Sequence, residues 1–366
     1  MAQTDVCGPE RLSLGPMAVE RTSTHDPRLG VTIDGRYKIQ SVLGRGSVGV
    51  VYLVHDRKQG RPAALKLWHT AQKGEQAQAR FLREAEALRT LLHPNIVEVF
   101  GVGVFQGHPY VAMEYLEGST LEDYLTGMPL APTVALDITR QLLSALSFAH
   151  RQGVVHRDLK PENIFLVRYK NSPTQLKLLD FGLAKFLTPE SDPLGGAAIT
   201  VTGIVMGTPL YMPPEQAAGG RVDRRVDVYA AGCILFEMLS GRLPFVGDSY
   251  GDLMRAHVTQ PIPKLTDVLE RTHVAPALQF LLETAMAKNP EYRYPSAGAM
   301  LTALQQVPQD PIRRGSAPKL GQQANRWADE LLETAVPSKG RTLLLGAAVG
   351  ASVVGLFSLL LLILLR

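Results

Sequence analysis

The feature that most constrains this chain is the segment Val155–Asn163, Val-His-Arg-Asp-Leu-Lys-Pro-Glu-Asn, together with Asp180 in an Asp-Phe-Gly tripeptide further along. Asp158 can accept a proton from an attacking hydroxyl group, and Lys160 can neutralise a phosphoryl group in transfer. Asn163 and Asp180 supply amide and carboxylate oxygens, the type of ligand that Mg²⁺ takes. A base, a cation and two oxygen ligands at this spacing suit phosphoryl transfer from a metal-bound nucleotide, because that reaction depends mainly on positioning and charge neutralisation.

These two motifs resemble the catalytic loop and the metal-binding tripeptide of protein kinases. The resemblance implies an α+β, bilobal fold, with a small β-rich N-lobe and a large helical C-lobe that hold ATP between them. It assigns Asp158 the role of catalytic base and Lys160 that of stabilising the transferred phosphoryl group. Asn163 and Asp180 become the ligands of Mg²⁺, for which Mn²⁺ is an alternative.

A glycine-rich segment lies between two strand-like runs near the start of the chain. It consists of Leu43, Gly44, Arg45, Gly46, Ser47, Val48 and Gly49. By itself the Gly-x-Gly-x-x-Gly pattern is equally compatible with a dinucleotide-binding turn, which opens a helix. Here no helical pattern starts at the third glycine and an apolar run continues to Val54, so we predict a strand–turn–strand flap over phosphates. The resemblance to kinases also places Val51 and Ala64 against the adenine.

One charged residue, Lys66, lies inside the short apolar strand predicted over 62–67. Burying an unpaired ammonium costs several kcal/mol, so Lys66 needs an anionic partner unless it reaches solvent from an edge strand. Nucleotide phosphates are one such partner. The other is a carboxylate on the amphipathic helix predicted over 75–92. By resemblance that carboxylate is Glu84; its competitor Glu86 lies about 200° further round the helix.

The remaining nucleotide contacts are assigned by the same resemblance. Two strands are predicted over 98–105 and 110–115. The segment from Glu114 to Leu116 follows them as the hinge, whose backbone is expected to hydrogen-bond the adenine. Phe165 occupies the position where kinases place an apolar residue beneath the adenine ring.

The second lobe is predicted to be helical from about residue 120, with a long amphipathic helix over 133–152. In the family, an Asp at the position of Asp227 caps the backbone of the catalytic loop. An Arg at the position of Arg293 pairs with a glutamate, here Glu215. Both roles are structural.

Residues 183–212 lack strong periodicity, and long segments of this kind tend to be functional or disordered. The stretch resembles a kinase activation loop. In the bacterial members that it resembles, threonines at the positions of Thr200 and Thr202 carry an activating phosphate, which can pair with Arg157. Two unmodified surface threonines are the alternative. Thr208 is expected to contact the catalytic residues and to favour Ser or Thr acceptors.

The C-terminal run Leu343–Leu365 carries no charged residue. As a helix it would be about 35 Å long, which exceeds a hydrocarbon core of about 30 Å, and it lacks the polar face of a soluble helix. We therefore expect a single-pass membrane anchor, and Lys339 and Arg341 place the kinase in the cytoplasm, at the inner membrane of a bacterium. Gly346 and Gly350 form a Gly-x-x-x-Gly, which either pairs two chains in a homodimer or occurs by chance.

The chain as a whole has 366 residues and a formal net charge of +4, without a long block of Lys or Arg, so we expect no nucleic-acid partner. Its two cysteines define no disulfide framework, which indicates a reducing compartment. The expected organisation is a flexible leader over 1–33, a kinase domain over 34–307 with lobes at 34–116 and 117–307, a basic linker over 308–341 and a transmembrane helix over 342–365.

Together these features predict an ATP-dependent kinase that resembles bacterial Hanks-type serine/threonine kinases over about 37–307 and phosphorylates Ser or Thr of protein substrates. A membrane-bound pseudokinase scaffold is the alternative from another class. Every catalytic position is intact, which argues against it. A small-molecule phosphotransferase of related fold is disfavoured by Thr208 and the Pro-Pro-Glu segment that follows, which kinases use to hold peptides.

Overall fold

A computed structural model of the protein describes residues 26–69, 75–167, 175–181, 209–269 and 272–314. The chain divides into two compact units, Met1–Arg313 and Arg314–Arg366, and the elements below build the first. Thr200, Thr202, Thr208 and the expected transmembrane helix over 342–365 lie outside the described residues. Within the described ranges, no helix combines the length and the apolar character that a membrane span needs.

The N-lobe is built on a six-stranded antiparallel sheet with the strand order β1-β2-β3-β4-β6-β5. Successive side chains of each strand point to opposite faces of this sheet. On β3, for example, Val50, Tyr52 and Val54 enter a small core above the sheet, while Val51 packs toward the large core below. The strands are β1 (Thr32–Ile33), β2 (Tyr37–Arg45), β3 (Gly49–Asp56), β4 (Arg61–Trp68), β5 (Val99–Phe105) and β6 (His108–Glu114).

Helix α1 (Glu75–Leu88) packs against β5 and β6 of this sheet. Its apolar stripe places Phe81, Ala85 and Leu88 in the core. The helix ends one turn before the predicted boundary at 92, because the N–H group of Leu91 turns back to the carbonyl of Leu88 in a tighter turn.

The C-lobe is mainly helical, as predicted. Its helices are α2 (Leu121–Tyr124), α3 (Pro132–Arg151), α4 (Pro214–Ala217), α5 (Arg225–Ser240), α6 (Tyr250–Thr259), α7 (Leu265–Val268), α8 (Pro276–Ala285) and α9 (Ala297–Leu304). Small sheets join β7 (Gly118–Thr120), β8 (Ile164–Val167) and β9 (Gln175–Leu178), and also β10 (Thr272–Val274) and β11 (Ile312–Arg314).

Helix α5 is the centre of this lobe. Almost every residue from Val226 to Ser240 is buried, which fits a sequence that is apolar on all sides of the helix. Close packing extends to Gly232, where an added Cβ would lie 2.9 Å from the Cβ of Ala285. The helix is therefore a rigid platform for groups at its N-terminal end.

The folded unit extends beyond the predicted boundaries of 34 and 307 at both ends. At the N-terminus, Ile33 is fully buried and Asp26 is 5% exposed, so residues 26–33 belong to the fold rather than to a flexible leader. At the other end, β11 pairs with β10 inside the segment predicted as linker. Strands of two or three residues are too short to give a periodic signal in the sequence, which explains both errors.

The predicted pair between Arg293 and Glu215 is confirmed. Two parallel hydrogen bonds join the guanidinium to the carboxylate, at 2.6 Å from Nη1 to Oε1 and 2.7 Å from Nη2 to Oε2. The Arg293 side chain is fully buried and that of Glu215 is 12% exposed. The guanidinium also donates to the carbonyl groups of Ala287, Lys288 and Arg225. This network joins α4 to the segment before α9.

We expect Arg293→Met to lower the free energy of unfolding by about 3–5 kcal/mol, because it leaves the carboxylate of Glu215 buried without its partner. Urea denaturation measures the change. Arg255→Met is the matched control, since Arg255 pairs with Asp252 on an exposed surface and its loss should cost less than about 1 kcal/mol. Equal losses in the two variants would contradict the structural role of the pair.

Candidate active site

The catalytic loop is fixed by Asp227 in the first turn of α5. The carboxylate of Asp227, 1% exposed, accepts the backbone N–H groups of His156 at 2.8 Å and Arg157 at 2.9 Å. Nε2 of His150, on α3, lies 2.8 Å away. Burial alone would raise the pKa of Asp227, but the hydrogen bonds and charge of its neighbours, His150 first, hold that pKa below the usual value. The predicted capping role is confirmed, and the group remains an anion.

Two residues of the site have a left-handed backbone that side chains normally avoid. Arg157 has a φ of 63° and Asp180 a φ of 47°. Such a conformation persists only where the surroundings impose it. At Arg157 the constraint is Asp227. At Asp180 it is the preceding residue, since Nε2 of His156 lies 2.8 Å from the carbonyl oxygen of Leu179.

The loop brings the predicted base, cation and amide together. Nδ2 of Asn163 donates to the backbone carbonyl of Asp158 at 2.8 Å, and this bond leaves the amide oxygen available to a cation. Nζ of Lys160 lies 2.7 Å from Glu162 and 3.8 Å from Asp158. Burial by itself lowers the pKa of Lys160, but Asp158 and Glu162 outweigh it and raise the pKa, so the ammonium stays charged. The carboxylate of Asp158 is half exposed, as an acceptor for a substrate proton must be.

Lys66 pairs with Asp180, whereas the prediction paired it with Glu84. Nζ of Lys66 lies 2.5 Å from Oδ2 of Asp180, and the described residues contain no ion pair between Lys66 and Glu84. The carboxylate of Glu84 is 39% exposed and lies 3.8 Å from Arg83. The side chain of Lys66 is 15% exposed, and its partner Asp180, at 30%, is the less exposed of the two carboxylates. Asp180 is held in place by the contact between His156 and Leu179.

The glycine-rich segment forms the tip of the hairpin of β2 and β3, as predicted. The turn closes with a hydrogen bond of 2.9 Å from Gly46 N–H to the carbonyl of Gly49. A Cβ on Gly49 would lie 2.5 Å from the carbonyl oxygen of Leu67, so a side chain cannot fit there. A Cβ on Gly44 would meet nothing within 4 Å, so its backbone is open to a ligand. Of the other predicted loop residues, Ser47 is exposed and Leu43 and Val48 are partly buried.

The residues expected around the adenine lie on neighbouring strands. Ala64 and Met113 are paired across β4 and β6, and Val51 and Leu116 pack against the same core. Phe165 is partly buried on β8, where a Cβ on Gly118 would lie 2.9 Å from its ring. These side chains form an apolar wall that suits an aromatic base.

Sequence reasoning missed an ion pair at the hinge. Nζ of Lys177 lies 2.5 Å from Oε1 of Glu114, and the same oxygen accepts the backbone N–H of Glu98 at 2.9 Å. The signal was available, since Lys177, like Lys66, is a charged residue in a short apolar strand.

The role of Asp26 was missed because Asp-Pro reads as a break before a domain.

Comparison with known proteins shows the class. The chain belongs to the protein kinase family, whose domain model matches residues 37–306. It is 40% identical over 302 residues to serine/threonine-protein kinase pkn3 of Myxococcus xanthus, a match that covers 82% of this chain and 55% of that protein. It is 38% identical over 284 residues to serine/threonine-protein kinase PknB of Mycolicibacterium smegmatis, covering 75% and 43%. The chain therefore spans about half the length of these relatives.

A solved structure confirms the fold. The PknI kinase domain of Mycobacterium tuberculosis superposes with a TM-score of 0.59 at 29% identity, and the match covers 76% of this chain and 98% of that domain. The bilobal arrangement of a β-rich N-lobe and a helical C-lobe is thus the one predicted.

We expect Asp227→Asn to loosen the catalytic loop, because an amide cannot accept all the N–H groups that the carboxylate accepts. Losing about 1–3 kcal/mol of hydrogen bonding should speed amide exchange at His156 and Arg157 roughly five- to 150-fold. Hydrogen–deuterium exchange measures the rate. Asp137→Asn, at an exposed carboxylate on α3, is the control and should leave the loop unchanged. Identical exchange in both variants would show that Asp227 does not hold the loop.

Proposed function

We propose that this protein is an ATP-dependent serine/threonine protein kinase. The observation that carries the proposal is the arrangement at the catalytic loop, where Asn163 and Lys160 surround a half-exposed Asp158 on a backbone fixed by Asp227. The names of the relatives support it, since they are serine/threonine-protein kinases.

The proposed reaction uses the side chains as follows. Asp158 orients the hydroxyl group of a Ser or Thr and accepts its proton. The hydroxyl oxygen forms a bond to the terminal phosphorus of ATP, the bond from that phosphorus to the bridging oxygen breaks, and ADP leaves with the electron pair. Lys160 neutralises the charge that spreads over the transferred group. Lys66 contributes a second positive charge toward the phosphates of the nucleotide.

The oxygen ligands fit Mg²⁺, with Mn²⁺ as an alternative. Mg²⁺ is commonly held by one or two protein oxygens together with substrate phosphates, and Asn163 and Asp180 are such a pair. The described part of the chain contains no cluster of three His, Cys, Asp or Glu that could hold a metal ion by itself. When bound, the ion neutralises phosphate charge. Neutralisation of Asp180 would release Lys66 to the phosphates or to Glu84.

The alternative from another class is a pseudokinase scaffold that binds partners without catalysis. The polar side chains that transfer requires, Asp158, Lys160, Asn163 and Asp180, are all present in the sequence, whereas a scaffold has no need of them. Peptide acceptors are favoured over small molecules by the Pro-Pro-Glu segment at 213–215, whose Glu215 is tied into the C-lobe by Arg293.

We expect the purified protein to transfer phosphate from labelled ATP to Ser or Thr of a protein acceptor in the presence of Mg²⁺. Asp158→Asn should lower the rate about 10²- to 10⁴-fold, the usual contribution of a general base, and chelation of the metal should stop transfer. Phosphoamino-acid analysis identifies the acceptor, and a small-molecule alcohol serves as the competing substrate. Transfer by wild type no greater than by Asp158→Asn would favour the scaffold.

We further propose that the segment over 342–365 anchors the kinase at a bacterial inner membrane with its domain in the cytoplasm, and that Thr200 or Thr202 is autophosphorylated. The support is the uncharged apolar run with a basic residue, Arg341, at its near end. For the threonines it is their place in the segment that resembles an activation loop. A homodimer through the Gly-x-x-x-Gly of this segment also stays a prediction.

Three proteins, the full chain, a chain ending at 341 and Lys66→Met, test both ideas. The full chain should remain in the membrane fraction after a carbonate wash, and a chain ending at 341 should be released. Phosphopeptide mapping of the active full chain should find phosphate on Thr200 or Thr202 that is absent from Lys66→Met. Release of the full chain would refute the anchor, and an active enzyme with both threonines unmodified would refute autophosphorylation there.

A further inference from the structure

The segment over 26–33, here called the N-terminal strap, lies outside the matched family domain and is nevertheless bonded to the glycine-rich hairpin. The N–H group of Gly30 donates to the carbonyl of Ile39 at 3.0 Å, and the N–H group of Ile39 donates to Val31 at 2.9 Å. Strand β1 continues this pairing along β2. The strap therefore runs antiparallel to β2, from Asp26 beside the tip of the hairpin to Ile33 opposite Tyr37, the first residue of β2.

The strap begins with a buried carboxylate that grips the tip. The side chain of Asp26 is 1% exposed, and its Oδ2 lies 2.5 Å from Nη2 of Arg45 and 3.2 Å from the hydroxyl group of Tyr52. Its other oxygen accepts the N–H group of Arg28 at 2.9 Å. Burial by itself raises the pKa of Asp26, but the bonds from Arg28, Arg45 and Tyr52 lower it below the usual value, so the group is an anion.

The direction of the Arg45 side chain follows from a bulge in β2. The register shifts between Val42 and Gly44, after which Arg45 is paired with Val50, a residue of the small upper core. The adjacent pair joins Gly44 to Val51, which packs on the opposite face. Arg45 thus lies between two glycines of the phosphate-binding segment, yet its guanidinium is held on the face away from the proposed nucleotide.

Besides the bond from Gly46 to Gly49, only one further hydrogen bond between backbone groups outside the strand pairing is recorded for the described glycine turn, from the N–H group of His69 to the carbonyl of Val48 at 3.0 Å. Gly44, Gly46 and Ser47 are exposed, and glycine is the residue with the greatest backbone freedom. A charge-assisted hydrogen bond to a buried anion is among the stronger side-chain contacts available at such a site. The pair of Asp26 and Arg45 is therefore well placed to limit the movement of the turn.

We propose that Asp26 is a positioning residue for nucleotide binding. Through its bonds to Arg45 and Tyr52 it holds the glycine-rich turn in the conformation that binds the nucleotide. The inference rests on the proposed function in that the ligand is ATP. It links nucleotide affinity to a segment upstream of the family domain, so whatever pulls the strap away from β2 weakens the nucleotide site.

The test measures binding of a fluorescent ATP analogue with Mg²⁺ to the full chain, together with KM for ATP and kcat. Asp26→Asn should raise Kd and KM about five- to tenfold, part of the contribution of a charge-assisted hydrogen bond, and change kcat less than about twofold. Arg36→Gln is the matched control. It breaks a similar pair with Asp56, at 2.6 Å, at the opposite end of the same hairpin, and should leave Kd within about twofold.

The sign of the change separates the proposal from its main competitor. If Arg45 contacted phosphate directly, Asp26→Asn would release it and tighten binding. A Kd for Asp26→Asn that is unchanged, lower or raised only as much as in Arg36→Gln overturns the proposal.

Two further measurements guard against misfolding and against failure of the proposed activity. Tyr52→Phe removes a single hydrogen bond to Asp26 and should give a smaller rise in Kd in the same direction, whereas no rise counts against the proposal. Faster amide exchange at 44–49 in Asp26→Asn, and not in Arg36→Gln, supports it. Because binding of the analogue needs no phosphate transfer, a chain that binds but does not catalyse refutes the proposed function alone.

Discussion

The site depends first on one buried anion. Asp227 accepts two consecutive backbone N–H groups of the catalytic loop and so stabilises the left-handed conformation of Arg157, which by itself costs on the order of 1–3 kcal/mol. The position of Asp227 is fixed because α5 is packed on all sides. The position of the loop that carries Asp158 and Asn163 is therefore determined by the packing of α5 in the C-lobe, rather than by contacts among the side chains of the site.

On the N-lobe side of the site, the ammonium of Lys66 has two carboxylates as possible partners. Lys66 is bonded to Asp180, while Glu84 remains partly exposed on α1. In protein kinases the pair of the strand lysine with the helix glutamate and the contact of the tripeptide aspartate with metal are both needed for catalysis. A direct bond between Lys66 and Asp180 satisfies neither requirement. The proposed reaction therefore requires Asp180 to release Lys66 when it binds a cation.

Charged residues inside apolar strands carry much of the functional information. Lys66 and Lys177 have the same local pattern, and the structure gives each of them a carboxylate at 2.5 Å. Their roles differ with position: one reaches the catalytic cleft, and the other ties the hinge residue Glu114 to the C-lobe hairpin. Asp26, which precedes β1, likewise forms an ion pair with a distant residue, Arg45. In each case burial makes the unpaired charge costly, and the cost determines which distant groups come together.

The order of residues along the chain is enough to identify the chemical groups of the site and most of the regular elements. The catalytic loop places Asp158, Lys160 and Asn163 within six residues, so that local backbone geometry determines their relative positions. Strands and helices of ordinary length are recognisable from the periodicity of their apolar residues. The pair of Lys66 with Asp180 rather than Glu84, and the place of Asp26 in the fold, became apparent only from the three-dimensional packing. These contacts join residues far apart in the chain or elements of two or three residues. They follow from how close packing distributes a few buried charges, which spacing along the sequence does not encode.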